Sequence, residues 1–416
     1  MIDNFLFLFI YANCFQVELH VHLDGAIRPE TIWEILRKKQ FALPGDGSLE
    51  ALKKSLIVNE PRDLLLFLQP FSLYHPAFKG DLEAIERFAF EFVEDQSKEG
   101  VAYCEARLCP HLLLPDSPST VDIINNVETP NTVSHQTTTN NSAVDPRKIV
   151  EAVLRGIERG EEKYSTKVRL ILCCIRSKSD WSWETLDLCD EFRLRGVVGI
   201  DMVGTDVPGA DEEIAEATRL FEKAKEKGIH RSIHAGEGGG WKCVKQVLTS
   251  FGAERIGHGY SVIEDEDFYK ECVEKRVHFE MCPHSSYLTG SIKALKLPSK
   301  RHPILRLAED GASFSISTDN PALTGSHLTE EYELLRTWGF NEALFTRANF
   351  EAAYKCFLPP EEKQELLAEL RNAYGIISEN EIVTNDKTDS SSTVTGSGLP
   401  SQKPVVNIAS WEDKTY

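Results

Sequence analysis

Histidine and acidic residues recur along this chain with the types and spacing of a metal site. His20 and His22 lie two residues apart in the apolar run VELHVHL, and on a β-strand that spacing turns both imidazoles to the same face. Alone, the pair is a weak signal, but His234 and Asp319 end two other strand-like runs. Three imidazole nitrogens and one carboxylate oxygen suit a divalent zinc ion with one position left for water. These four residues are therefore predicted to bind one Zn²⁺ per subunit.

Two further residues have the chemistry for proton transfer. Glu237 follows His234 in the motif HAGE. Most loop glutamates are solvated acids, but beside a metal in a dry pocket a glutamate becomes a proton donor with a raised pKa. His258 lies in the motif GHG, where it is either a buried histidine bonded to backbone or a base that acts on water. The ligand set favours the functional interpretation of both residues.

Three other motifs are interpreted as structural. The sequence His278-Phe279-Glu280 fits the His-x-Glu of one zinc deaminase class, but the Pro-Cys-x-x-Cys of that class is absent, which indicates packing in a strand. The glycines of GEGGGW, residues 236–241, lack the Lys-Ser/Thr of a phosphate loop and favour close approach of backbone to a ligand. The run LLLFLQPF, residues 64–71, is either a core-facing helix or an apolar lid over the pocket.

Eight short apolar runs must position these residues, and amphipathic segments separate the runs. They span Val17–Leu23, Val101–Leu108, Val168–Cys174, Val197–Val203, Ile229–Ala235, Arg255–Gly259, Val277–Cys282 and Ser313–Asp319. Parallel strands need crossover connections, which are most easily helices. The sequence therefore predicts an α/β fold, a (β/α)8 TIM barrel with extra helices after its first strand. Such barrels carry reactive groups at the C-terminal ends of their strands, so we expect the metal site at that mouth.

Composition limits the class of protein. The 416 residues include 46 basic and 65 acidic side chains, and the formal net charge of −19 disfavours a nucleic acid polymer as a partner. No apolar run is long enough for a transmembrane span. The apolar segment FLFLFIYA lacks the basic lead-in of a signal peptide, and the ten cysteines show no disulfide or structural-zinc spacing. We expect a cytoplasmic protein rather than a secreted or cell-surface one.

Three segments differ in composition from the folded body, which is assigned to residues 16–375. Residues 1–15 are interpreted as a leader segment. Residues 115–146 and the tail 376–416 are rich in Ser, Thr, Asn, Asp and Pro, and such segments bury too little apolar area to offset their ordering entropy. The insertion and the tail are expected to be disordered.

Five motifs carry a resemblance to a known family. In the order VELHVHLDG, IHAGE, RIGHGY, MCPHSSYLTG and STDNP, the chain resembles the adenosine deaminase family of the amidohydrolase superfamily over nearly all of residues 16–375. The resemblance implies a (β/α)8 barrel that uses one zinc ion to hydrolyse adenosine and 2′-deoxyadenosine. The products would be inosine and 2′-deoxyinosine plus ammonia, in purine metabolism and salvage. We expect a monomer that acts on a small nucleoside.

The resemblance also implies roles for individual residues. The zinc ligands would be His20, His22, His234 and Asp319. Glu237 would protonate N1 of the purine, while His258 with Asp319 would orient and deprotonate the water that attacks C6. The residues implied in substrate binding are His22, Asp24 at the ribose 5′-hydroxyl, Gly204 with its N–H at N3, Asn320 at N7, and the hydrophobic gate of Leu64, Phe67 and Leu68.

One departure from the family pattern affects the purine contact. The usual motif Thr-Asp-Asp-Pro is Thr318-Asp319-Asn320-Pro321 in this chain. The second Asp position contacts N7, an acceptor, so a carboxylate there needs a proton on itself or on N7, whereas an Asn amide donates directly. We expect Asn320 to preserve activity and to alter the purine preference.

Two other functions stay open. A deaminase of nucleotides or of N6-substituted AMP would need cationic groups for the phosphate, whereas Asp24 puts negative charge near the 5′ end. A barrel that serves as a scaffold without turnover is the second alternative. The presence of every proposed metal and proton-transfer residue argues against it.

Overall fold

The computed structural model describes residues 15–118, 144–206, 211–294 and 301–376, and its centre is an eight-stranded sheet. The strands are parallel and follow one another in chain order, with helices around them. They are β1 (Gln16–His22), β2 (Val101–Leu108), β3 (Lys167–Ile175), β4 (Val197–Val203), β5 (His230–Ala235), β6 (Arg255–His258), β7 (His278–Met281) and β8 (Ser313–Ile316). The predicted α/β fold and (β/α)8 TIM barrel are confirmed, and no strand end differs from its predicted position by more than three residues.

Helices fill the connections between the strands. After β1 come the extra helices that the sequence predicts, Pro29–Lys38, Leu49–Leu56, Leu64–Leu68, Phe71–Phe78 and Leu82–Lys98. The later helices are Pro146–Glu161, Ser179–Phe192, Asp211–Glu226, Trp241–Thr249, Glu266–Glu274, Pro283–Leu288, Ser291–Ala294, Pro303–Glu309, Pro321–Thr324, Leu328–Thr337, Glu342–Lys355 and Pro360–Ala373.

The helix Leu82–Lys98 illustrates how the sequence sets these elements. It begins where the Asp81 side chain accepts a hydrogen bond from the Ala84 amide at 3.0 Å, which satisfies one free N–H of the first turn. Its apolar residues recur at helical spacing, so Ile85 and Phe88 are buried against the core. The helix covers the outside of β2 and contributes no side chain to the mouth described below.

The barrel closes between its first and last strands, at residues predicted to bind metal. The Asp319 amide donates to the His20 carbonyl at 3.0 Å, and the His22 amide donates to the Asp319 carbonyl at 2.7 Å. Further down, Glu18 Oε1 accepts from the amide and the hydroxyl of Thr318 at 2.8 and 2.7 Å. This seam holds Asp319 in register with the two histidines of β1.

The barrel interior beneath the mouth is charged and fully buried. The Arg107 guanidinium donates to Asp201 and to Glu280, both at 2.7 Å. Arg255 lies 2.7 Å from Glu280 and 2.6 Å from Glu105. Buried charges are costly unless they are paired and hydrogen-bonded, and this network pairs each of them.

The predicted leader (1–15), insertion (115–146) and tail (376–416) lie outside the described residues except at their edges. Their boundaries stay predictions. Within the described part of the chain, no helix combines the length and the apolar character needed to cross a membrane. The nine cysteines there are buried and free.

Candidate active site

A cavity at the C-terminal mouth of the barrel collects the predicted site residues. Those that line it are His22, Asp24, Leu64, Phe67, Leu68, Gly204, His234, Glu237, His258, Asp319 and Asn320. His20 is fully buried and does not line the cavity itself. The apolar residues Phe71, Leu112, Ile175 and Val203, which the sequence analysis did not assign, complete the lining.

The predicted metal ligands converge on one another. His22 Nε2 lies 3.3 Å from His234 Nε2 and 3.4 Å from Asp319 Oδ1. His20 Nε2 lies 3.6 Å from the same Asp319 oxygen. His258 also belongs to this cluster, because it, His20, His234 and Asp319 each offer one ligand atom within 4.8 Å of the others. The structure therefore brings together five groups that can bind a metal, one more than the sequence assigned to the ion.

Two of these histidines are oriented by carboxylates from other strands. His20 Nδ1 lies 2.7 Å from Glu280 Oε2, and His234 Nδ1 lies 2.9 Å from Asp201 Oδ2. The contact between His20 and Glu280 is a hydrogen bond, so Nδ1 of His20 carries the hydrogen and Nε2 of the neutral ring presents a lone pair. His234 Nδ1 lies close to Asp201 but forms no hydrogen bond. His20 Nε2 is buried without a hydrogen-bond partner. A buried lone pair directed at other ligand atoms fits a bound divalent cation.

Glu280, interpreted from the sequence as part of a packed strand, is fully buried in β7, and its carboxylate contacts His20, Arg107 and Arg255. Burial alone would raise the pKa of Glu280, yet the two arginines hold that pKa well below its ordinary value. The sequence did contain a signal for these contacts. An acidic residue inside an apolar strand predicts a buried partner, because a buried charge is costly without one.

An acid and a base lie side by side in the cavity, with Glu237 Oε2 3.5 Å from His258 Nε2. Burial raises the pKa of Glu237 well above its ordinary value, and the carboxylates of Asp319 and Asp206 raise it further. Burial lowers the pKa of His258 well below its ordinary value. A protonated carboxyl beside a neutral imidazole can donate one proton and accept another.

Three strand ends turn into left-handed backbone at this cavity. Gly204 after β4 has φ of 101°, His258 at the end of β6 has 63°, and Asp319 after β8 has 66°. The conformation costs a residue with a side chain about 1–3 kcal/mol, and such strain occurs most often at functional sites. At 204 the backbone requires glycine, while His258 and Asp319 are held by their surroundings.

The adenosine deaminase family model matches residues 16–373. The chain belongs to the adenosine deaminase family. The adenosine deaminase of Xenopus laevis is 42% identical over 363 residues, with 87% of this chain and 96% of the relative covered. That of Gallus gallus is 40% identical over 371 residues, with the same coverage of 87% and 96%. At this similarity the chain is a hydrolase that acts on adenosine. A solved ADAL–IMP complex is 25% identical with a TM-score of 0.69, covering 88% of this chain and 98% of that one.

Asn320 is the position at which this member of the adenosine deaminase family departs from the usual motif. Its Oδ1 is buried without a hydrogen-bond partner. The side chain lies over the backbone of Gly25, where an added Cβ would stand 2.1 Å from Oδ1. The amide of Asn320 is therefore packed in place at the cavity wall, with hydrogen-bonding capacity left for a ligand.

Asp24, which is predicted to bind the ribose 5′-hydroxyl, is buried beside a histidine. Its Oδ2 lies 3.3 Å from His75 Nε2, and its backbone carbonyl accepts from the Tyr74 hydroxyl at 2.8 Å. Burial alone would raise the pKa of Asp24, but the adjacent His75 lowers the pKa below its ordinary value. This end of the cavity carries negative charge.

The predicted gate is a short helix, Leu64–Leu68, that begins where Asp63 Oδ1 accepts from the Leu66 amide at 2.9 Å. Leu64, Phe67 and Leu68 line the cavity, and Phe67 is fully buried. Both interpretations of this apolar run are therefore right in part, because one helix packs on the core and forms a wall of the cavity.

Proposed function

We propose that this protein is a zinc-dependent adenosine deaminase. It converts adenosine and 2′-deoxyadenosine with water to inosine and 2′-deoxyinosine, with release of ammonia, in purine salvage. The observation that carries the proposal is the position of His22 Nε2, 3.3 Å from His234 Nε2 and 3.4 Å from Asp319 Oδ1, beside a glutamate whose pKa is raised. Family membership supports the same reaction.

The residues that would hold the ion are His20, His22, His234 and Asp319. Nitrogen and oxygen donors of this kind favour zinc among the divalent ions. The ion, when bound, supplies Lewis-acid chemistry that lowers the pKa of water to about 7. His258 belongs to the same cluster, and we assign it to proton transfer because its Nε2 lies 3.5 Å from Glu237 Oε2.

The two proton-transfer residues act on different reactants in the addition of water, one on the purine and the other on the water. Glu237 donates its proton to N1 of the purine, which makes C6 a better electrophile. His258, neutral in its buried position, accepts a proton from the water that adds to C6, and Asp319 orients that water. His258 then passes the proton it accepted to the 6-amino group, ammonia leaves, and the C6 hydroxyl gives its proton to Glu237, so that inosine forms and both residues return to their starting states.

The remaining residues orient the nucleoside and exclude bulk water. Asp24 accepts a hydrogen bond from the ribose 5′-hydroxyl, the Gly204 amide donates to N3, and the Asn320 amide donates to N7. The apolar wall of Leu64, Phe67 and Leu68 keeps other water from the ring.

A nucleoside fits this cavity better than a nucleotide does. Among the described residues that line it, none is Lys or Arg. The 5′ end carries the ionised Asp24, which repels a phosphate in a partly desolvated site. The solved ADAL–IMP complex holds a nucleotide, so AMP is the substrate against which the proposal must be tested.

We also propose a cytoplasmic location, which the nine free cysteines in the described part of the chain support, because disulfides are rare in reducing compartments. The monomeric state stays a prediction, and light scattering on the purified protein tests it.

Purified protein is expected to convert adenosine and 2′-deoxyadenosine with stoichiometric release of ammonia. Chelation should abolish turnover, and zinc should restore it. For AMP, kcat/KM should be lower by at least about 10²-fold, because like charges placed together cost several kcal/mol. Loss of adenosine absorbance and an ammonia assay provide the measurement. A folded, zinc-loaded protein without turnover would favour the scaffold, and a preference for AMP would favour the nucleotide deaminase.

Replacement of Asn320 by Ala is expected to lower kcat/KM for adenosine by about fivefold, since one hydrogen bond contributes about 1 kcal/mol. For 7-deazaadenosine, which lacks the N7 acceptor, the same change should have little effect. Steady-state kinetics of both substrates measure the difference, and Asn320→Asp, which restores the family motif, is the matched variant. Equal losses for the two substrates would remove Asn320 from N7.

A further inference from the structure

Glu237 lies in the loop that follows β5. The carboxylate of Asp206 accepts hydrogen bonds from three backbone amides of this loop. Asp206 Oδ2 accepts from the Gly236 amide at 2.5 Å. Asp206 Oδ1 accepts from the amides of Gly238 and Gly239 at 3.0 and 2.5 Å. The glycine motif that resembles a phosphate loop therefore already surrounds an anion, and that anion is a side chain of the same protein.

The loop and Asp206 are in close contact. Asp206 is buried, and a Cβ added to Gly239 would lie 2.2 Å from the Asp206 carbonyl oxygen. The Cys243 thiol, 2.7 Å from the same oxygen, closes the other side. The bound amide of Gly238 belongs to the peptide plane that directly follows Glu237, and the bound amide of Gly236 belongs to the plane one residue before the plane that precedes Glu237. One carboxylate therefore holds the backbone on both sides of this residue.

A second strand end anchors the start of the same loop. The Arg176 guanidinium, just after β3, donates to the carbonyl of His234. Asp206, just after β4, holds the residues that follow. Neither Asp206 nor Arg176 lines the cavity in which the substrate is proposed to bind. Asp206 can therefore affect the reaction only through Glu237, by holding the loop and by the charge that raises the pKa of Glu237.

We infer that Asp206 is a positioning residue for the deamination, which holds the Gly236–Gly239 loop so that the Glu237 carboxyl meets N1 of the purine. This inference rests on the proposed function, because the place of Glu237 matters only if Glu237 donates that proton. A displacement of about 1 Å at a reacting group lowers the rate by on the order of 10²-fold.

A double-mutant cycle with Asp206→Ala and Glu237→Gln tests the inference. Asp206→Ala alone should lower kcat for adenosine by about 10²-fold and change KM by less than about threefold. In the Glu237→Gln background the same change should lower kcat by less than about threefold, because the two residues act through one proton transfer. Equal losses in both backgrounds would overturn the positioning role while leaving the proposed function intact. An inactive wild type would overturn both.

Two variants separate positioning from general damage to the loop. Glu264 accepts from the Trp241 amide at 3.2 Å, at the far end of the loop, so Glu264→Ala removes a comparable contact without touching the residues around Glu237. It should change kcat by less than about threefold, and a loss as large as that of Asp206→Ala would overturn the inference. Asp206→Asn keeps one acceptor oxygen and should recover part of kcat. If Asp206→Ala does not fold, Asp206→Asn takes its place in the double-mutant cycle with Glu237→Gln.

Discussion

Replacement of Glu237 by Gln is expected to lower kcat for adenosine by about 10³-fold, with a change in KM of less than about threefold. The amide matches the carboxyl in shape, but it has no proton to transfer to N1, and a positioned general acid contributes about 10²–10⁴-fold. Burial and two neighbouring carboxylates raise the pKa of Glu237, so the wild-type side chain holds this proton. Steady-state ammonia release measures the loss.

The matched control for that variant is Glu274→Gln, an identical chemical change on an exposed helix end. It should leave kcat and KM unchanged, and both variants should unfold at the temperature of the wild type within a few degrees. If Glu237→Gln retained more than about a tenth of wild-type kcat, another group would have to protonate the purine.

Replacement of Arg107 by Met is expected to lower the free energy of unfolding by about 3–5 kcal/mol, because removal of one partner leaves buried charge uncompensated. Asp201 and Glu280 would both lose a contact of 2.7 Å. These two carboxylates orient His234 and His20, so zinc affinity should also fall by about 10–100-fold. Denaturant titration measures the first effect, and competition with a chelator measures the second.

Arg155→Met is the control for the arginine variant, since Arg155 forms an exposed ion pair with Glu86. Exposed pairs contribute about 0–1 kcal/mol, so its stability and zinc affinity should stay close to those of the wild type. Arg107→Met with the same small effects would show that the buried network does not hold the ligand histidines.

The strands and the residues at their ends could be predicted because both signals are local. Runs such as Val197–Val203 are bounded by turn residues, and barrel topology brings all strand ends to one mouth. Asp319 illustrates the limit of that reasoning. The sequence analysis included it in the eighth strand, but β8 ends at Ile316 and Asp319 adopts a left-handed conformation beyond it.

The partners of those residues could not be predicted, because they depend on register across the barrel. Glu280 lies 260 positions from His20, and nothing in either motif indicates the pairing. The glycine loop presents the same difficulty. Its composition indicates that backbone approaches a ligand closely, but only the packing of adjacent strand ends identifies that ligand as the side chain of Asp206.

The seam between β1 and β8 has a consequence for how the protein acquires its ion during synthesis. Glu18 and Thr318, which pair across the seam, are 300 positions apart. At about 5–20 residues per second a ribosome needs about 15–60 s to make that stretch, and until then His20 and His22 have no Asp319 beside them. The four proposed ligands can therefore meet only after residue 319 has been made and the last strand has paired with the first.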